Sequence, residues 1–152
     1  ENSQLEMQPF DLAEAVCDTA SVFVAAAENS GKELAVQAPA HWDYTGNEAA
    51  IRQLVSILLD NAVKYCDPGG NIQVQLCPGK HPILTVDNTC AGVGDLPLSR
   101  LFDRFYRADP GRTYGSGFGI GLSIAKGIAE RHHGELTALK EGSQTIRFRV
   151  RL

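Results

Sequence analysis

Between Ile51 and Val86 the chain changes its hydrophobic period, and that change limits the folds open to it. Ile51, Leu54, Val55, Leu58, Leu59 and Ala62 recur at helical spacing and give a broad apolar face. Asn47 stands where a helix cap belongs, and "DPGG" after Cys66 breaks the pattern. The period then drops to two. "NIQVQLC" alternates, "PGKH" turns and "PILTV" returns, which predicts a hairpin. A helix followed at once by hairpin-linked strands points to an α+β arrangement.

The flanks extend this reading. "MQPF" reads as a short extended segment. Asp11 with Glu14 forms a capping-box-like start for a helix running to about Ser30, carried by Leu12, Val16, Thr19 and Phe23. "SGKE" is a turn and "LAVQA" suits a strand. A third helix opens near Gly119 and runs to about His132, and strands around "ELTALK" and "TIRFRVRL" close the chain. Three helices with mostly hairpin-linked strands predict an α+β fold, a two-layer sandwich. The 152 residues suit one domain spanning 1–152, with residues 1–6 a ragged start.

Composition narrows the function classes. A net charge of -4 disfavours a bulk basic surface for nucleic acid. No apolar stretch approaches the roughly 20 residues that cross a bilayer, so this stretch is expected to make no direct membrane contact. Cys17, Cys66, Cys77 and Cys90 are scattered, without a C-x-x-C pair, and read as free thiols.

Three segments carry chemistry. In "LLDNAVKY", Asn61 falls beside Leu54 and Leu58 at the border of the apolar stripe, with Lys64 just outside and Tyr65 just inside. A buried asparagine there either bonds a nearby loop or serves as a metal or phosphate ligand at a pocket rim. The run "GSGFGIGLSIAKGIAE" places Gly115, Gly117, Gly119 and Gly121 at every second position before a helix. Such a run is a flexible loop or a phosphate cradle at a helix N-terminus. No Gly-Lys-Ser/Thr follows and no early βαβ unit surrounds it, which disfavours a P-loop and a dinucleotide fold. "RLFDRFYRAD" sets Arg100, Arg104 and Arg107 among apolar residues. Its arginines are a solvated face or phosphate contacts on a lid over about 91–118.

In order, "LLDNAVKY", "VDNTCAGV", "LFDRFYRAD" and "GSGFGIGLSIAKGIAERHHGE" resemble the asparagine, first glycine, phenylalanine and second glycine boxes of sensor histidine kinase catalytic domains. These belong to the superfamily shared with gyrase-type topoisomerases and heat-shock chaperone ATPases. The resemblance implies a Bergerat-type fold: a mixed, mostly antiparallel sheet on three helices, with an ATP lid. It implies ATP and Mg²⁺ as ligands and γ-phosphoryl transfer to a histidine. Asn61 would hold Mg²⁺, Lys64 and Tyr65 would flank the nucleotide, and Gly117, Gly119, Gly121 and Leu122 would frame the triphosphate. Arg104 or Arg107 would approach the γ-phosphate, and Phe105, Phe118 and Gly92 join the nucleotide contacts.

Two positions depart from the pattern. Where the family has Asp to bond the adenine amino group, this chain reads "DNTCAGV". If alternation turns Leu84 and Val86 inward, Asn88 takes that place, with Asp87 as the rival. Ile57 stands one turn before Asn61, where hydrolytic relatives use a glutamate to activate water, and isoleucine takes no proton. That argues against an efficient ATPase.

None of His41, His81, His132 and His133 sits in a phosphoacceptor motif, so the acceptor is expected on a separate dimerisation domain, and self-phosphorylation is not expected. The implied setting is the cytoplasmic side of a membrane-anchored bacterial sensor kinase. Residues 1–6 would be a linker remnant and a response regulator receiver domain the onward partner. Alternatives are an anti-sigma-factor-type serine kinase and a nucleotide-sensing module without catalysis.

Overall fold

A computed structural model of the chain describes residues 5–103 and 118–152. Three helices pack on one face of a five-stranded sheet, as the two periods require. The helices are α1 (Leu12–Asn29), α2 (Glu48–Tyr65) and α3 (Phe118–Arg131). The strands are β1 (Gln8–Asp11), β2 (Glu33–Gln37), β3 (Asp43–Gly46), β4 (Asn71–Cys77), β5 (Ile83–Thr89), β6 (Glu135–Lys140) and β7 (Thr145–Arg151). The main sheet runs β2-β4-β5-β7-β6. The β2–β4 pair is parallel and the other pairs are antiparallel.

Local chemistry sets the ends of the helices. Asp11 Oδ1 accepts from the Glu14 N–H at 3.2 Å, and Asn47 Oδ1 accepts from the Ala50 N–H at 2.9 Å, so both predicted caps close first turns. Lys32 Nζ donates to the Val63 carbonyl at 2.6 Å, satisfying an acceptor near the end of α2. α3 ends in a Schellman arrangement. The Gly134 N–H bonds Ala129 O and the His133 N–H bonds Glu130 O, with His133 in the left-handed region at φ 61°. Glycine usually takes that position. Here the glycine is one residue later, because a Cβ at 134 would overlap the Arg151 carbonyl oxygen.

Strand alternation supplies the other half of the core. Ile72, Val74 and Leu76 of β4, Leu84 and Val86 of β5, and Ile146, Phe148 and Val150 of β7 are buried against the helices. Ile51, Leu54, Val55, Leu58 and Leu59 of α2 are fully buried and form its centre. His132 ties α3 to the start of α2. Its Nδ1 lies 2.9 Å from Ile128 O and its Nε2 accepts from the Asn47 N–H at 3.1 Å, which fixes the tautomer with the proton on Nδ1.

Strand β3 is absent from the sequence reading. It pairs antiparallel with β1 in a separate two-stranded sheet. His41 clasps this sheet to the start of α1, with Nδ1 2.8 Å from Asp11 Oδ2 and Nε2 2.7 Å from Asp43 Oδ1. The Asp11 hydrogen bond, then that to Asp43, raises the imidazole above its ordinary 6.5. Asp11 is lowered from 3.8, chiefly by accepting the Trp42 N–H. The sign follows from linkage. The histidine's contribution is complete below 6.5 and lost as pH rises through the raised folded value. That of Asp11 is present above 3.8 and lost as pH falls through the lowered one. The melting temperature should therefore decline as pH rises past neutrality, and His41→Gln should flatten that decline. Parallel melting curves of the two proteins from pH 5.5 to 8.5 check this, and equal slopes would refute it.

Candidate functional site

The site lies where α2 faces the first turn of α3. Gly121 permits the approach, since a Cβ there would sit 3.3 Å from Ile57 Cγ2. The described walls enclose a cleft of about 160 Å³, lined by Ile57, Asp60, Asn61, Lys64, Tyr65, Gly121 and Leu122. Five of these belong to one helix, at the i, i+3, i+4 positions that share a face. Asn61, Lys64, Tyr65, Gly121 and Leu122, all singled out in the sequence, thus meet in one place.

Two buried side chains carry an uncompensated cost: Asn61 on the cleft wall, and Asn88 on β5, which is not among the residues lining the cleft. Asn61 is 8% exposed and Asn88 is 1% exposed. Among the described residues, their Oδ1 atoms are the buried side-chain oxygens or nitrogens without a hydrogen-bond partner. Asn88 Nδ2 donates to Thr89 O at 3.1 Å. Each unpaired amide oxygen costs about 1–3 kcal/mol of desolvation. A protein keeps such atoms where an outside group completes them. An amide oxygen accepts either an N–H donor or a hard cation.

The alternation of β5 separates the two candidates for reading a base. Asn88 follows Leu84 and Val86 onto the helix side of the sheet. Asp87 points to the outer side, where Arg147 holds it with Nε–Oδ1 and Nη2–Oδ2 contacts of 2.9 Å each. The two residues are direct partners across β5 and β7. That carboxylate raises the Arg147 guanidinium above its ordinary value. Asp87 is therefore not brought to the cleft.

Residues 91–103 are anchored to the core. Gly92 caps a short 3-10 helix, Val93–Asp95, and a second spans Leu98–Arg100. Leu101 is buried, and Phe102 meets Phe148 edge-on at 6.0 Å between centroids. Lys126 Nζ lies 5.7 Å from the Phe102 ring centre, and Lys140 Nζ donates to Gly94 O at 3.1 Å. Phe118 and Gly119 open α3. Arg104, Phe105, Arg107 and Gly117 lie outside the described residues.

One lining residue escaped the sequence reading. Asp60 stands beside Asn61 and pairs with Lys64 at 3.0 Å, one turn on. The i, i+4 spacing of opposite charges was the available signal. Among the described residues there is no cluster of three His, Cys, Asp or Glu side chains able to hold a metal. Among the described lining residues, the side chains that carry oxygen are Asn61, Asp60 and Tyr65. Nor is any described helix long and apolar enough to cross a membrane.

Comparison with known proteins agrees with this geometry. The profile of the family described as histidine kinase-, DNA gyrase B-, and HSP90-like ATPase matches residues 46–152. The chain is 34% identical over 151 residues to the probable sensor protein PcoS of Escherichia coli, covering 98% of this chain and 32% of that protein. It is 36% identical over 152 residues to the sensor histidine kinase CusS of Escherichia coli O157:H7, covering 97% and 31%. It spans about a third of the length of these curated relatives. Among solved structures, the mycobacterial sensor histidine kinase MprB superposes with a TM-score of 0.77 at 24% identity, covering 97% of each chain. Full-length ShkA in complex with AMPPNP gives 0.82 at 20%, covering 99% of this chain and 32% of that one. At those identities the likeness establishes the fold. The profile match over most of the chain establishes more: the protein belongs to the histidine kinase-, DNA gyrase B- and HSP90-like ATPase family.

Proposed function

We propose that the chain binds Mg²⁺-ATP in the cleft between α2 and α3 and donates the γ-phosphoryl group to a histidine on a separate dimerisation domain of a sensor histidine kinase. From there a response regulator receiver domain takes it. The observation that carries this reading is the buried Asn61 Oδ1, without a partner, on the wall of the cleft. A neutral, hard amide oxygen suits Mg²⁺, which takes few protein ligands and completes its shell with phosphate oxygens and water. When bound, the ion neutralises charge on the β- and γ-phosphates.

The chain's own residues then have distinct tasks. Asn61 orients the phosphates through its Oδ1. Lys64 meets a phosphate as a point charge, and Tyr65 flanks the nucleotide. Gly121 and Leu122, with Gly117 and Gly119, frame the triphosphate beside the N–H groups opening α3. Asn88 Oδ1 accepts from the adenine amino group, a better candidate than Asp87, which Arg147 occupies. Gly92 lets the loop pass close to the base, and Phe105 and Phe118 complete the enclosure. Arg104 or Arg107 approaches the γ-phosphate from the lid, residues 91–118. In the transfer, the bond from γ-phosphorus to the β–γ bridging oxygen breaks, a bond to the acceptor imidazole nitrogen forms, and ADP leaves.

The same reading makes residues 1–152 one catalytic domain. It places the domain on the cytoplasmic side of a membrane-anchored bacterial kinase. The acceptor is expected in the part of the parent that corresponds to the remaining two thirds of its relatives. Within this chain, His132 is buried and His41 is held between two carboxylates. Incubated with labelled ATP and Mg²⁺, the chain should bind nucleotide but gain no acid-labile label. Adding the separate dimerisation domain should produce phosphohistidine on that domain. Robust self-labelling of the chain would overturn this division of labour.

A further inference from the structure

The cleft carries two charges that cancel. Lys64 Nζ lies 3.0 Å from Asp60 Oδ2, and both residues line the cleft beside Asn61. The other lining residues, Ile57, Asn61, Tyr65, Gly121 and Leu122, bear no charge at neutral pH. Lys64 is thus the cationic side chain of the wall among the described residues, and a carboxylate already holds it. For a site that takes a polyanion this arrangement is costly, because a phosphate meets a repelling oxygen next to the attracting ammonium. Its cost depends on what the polyanion carries.

We infer that Asp60 is a specificity-determining residue, which makes the cleft select nucleotide complexed to a divalent cation over metal-free nucleotide. The inference rests on the nucleotide reading above. A metal-free triphosphate meets the Asp60 carboxylate with its full negative charge, and it engages Lys64 only by drawing the ammonium away from Asp60. Once a divalent cation sits on the phosphates, the sign of the Asp60 interaction reverses. The carboxylate then attracts the complex, directly or through the cation's water shell, and the Asp60–Lys64 pair need not break. The Asp60 and Lys64 side chains are 54% and 32% exposed, so water screens these charges in part and the contrast is a modest one. Asp60 and Asn61 both line the cleft from α2, so the selecting charge and the proposed metal-holding residue share one wall.

An i, i+4 pair of this kind also forms merely to brace an exposed helix. The two roles separate by experiment. The 152-residue chain is titrated with a non-hydrolysable ATP analogue, once with excess Mg²⁺ and once with EDTA, and the ratio of the two affinities is taken. Asp60→Asn should lower that ratio by about threefold or more, the size of one partly screened charge interaction, mainly through tighter metal-free binding. Asp60→Ser removes the same charge with a different shape and carries the same expectation. Lys64→Met should move the ratio the other way, because Asp60 then repels metal-free nucleotide without compensation. A ratio unchanged in all three variants overturns the inference, while nucleotide binding by the unaltered chain keeps the wider reading intact. Failure of the unaltered chain to bind in either buffer overturns both.

Discussion

Replacing Asn61 by leucine is expected to stabilise the nucleotide-free chain and to abolish its binding of Mg²⁺-ATP. The two effects share one cause. The Asn61 side chain sits among the buried residues of α2, beside Leu58 and Ala62, with its Oδ1 unpaired. Leucine fills nearly the same volume without a desolvated oxygen. The expected gain is about 1–2 kcal/mol, the usual cost of one orphaned polar atom. For a chain of this length that is a rise of about 2–6 °C in melting temperature. The expected loss is larger. Removing even an outer-shell partner of a metal costs about 10–100-fold in affinity, and Asn61 is proposed as a direct ligand. Affinity should therefore fall by about a hundredfold or more. Melting curves without ligand and calorimetry with Mg²⁺-ATP measure the two arms. A variant that melts lower and still binds would show that Asn61 is a packing residue.

The second large effect concerns the frame. Gly134→Ala should destabilise the chain by about 3–4 kcal/mol, near the upper end for single substitutions. A Cβ at this position would overlap the Arg151 carbonyl oxygen and lie 3.3 Å from Leu152 Cα. Both obstacles are backbone, so no side chain can swing aside. Relief requires β7 to move, yet β7 sits between β5 and β6, and its Phe148 and Val150 are buried in the core. Gly127→Ala is the natural control. It lies within α3 with nothing within 4 Å of the added carbon, so helix propensity alone predicts a gain of up to about 1 kcal/mol. Urea unfolding of the two variants should shift their midpoints in opposite directions. Equal shifts would mean that the end of β7 yields easily.

Where sequence and structure meet, the agreement has a physical basis. The caps at Asp11 and Asn47 are side-chain contacts over three residues, and such local chemistry is legible in a linear string. The hairpin of β4 and β5 is legible for the same reason. β3 is not. "DYTG" offers one aromatic residue and no alternation, and its partner β1 lies more than thirty positions away. The parallel pairing of β2 with β4 also escaped the sequence, because it needs a crossover through β3 and α2. The choice between Asp87 and Asn88 depends on which face of β5 turns inward, which the sequence leaves open, and the Arg147 partner of Asp87 is an observation that only the register of β7 supplies. Asp60 went unnoticed because an acidic residue beside a polar helix edge looks like ordinary solvated surface. Its meaning appears once α3 closes the other side of the cleft.

The Ile57 side chain cannot activate water. In the folded chain it also packs toward Gly121 and sets how closely α2 and α3 approach. That stretch of the cleft wall is thereby apolar.

The central claim is that a divalent cation on bound ATP is held by the amide of one helix residue. A crystal of the chain grown with a non-hydrolysable ATP analogue and Mn²⁺ in place of Mg²⁺ tests it most directly, because manganese scatters anomalously and marks its own position. An anomalous peak is expected at coordination distance from Asn61 Oδ1, with the phosphates lying between α2 and the opening of α3. Nucleotide bound elsewhere, or bound here with its manganese out of reach of that oxygen, would contradict it.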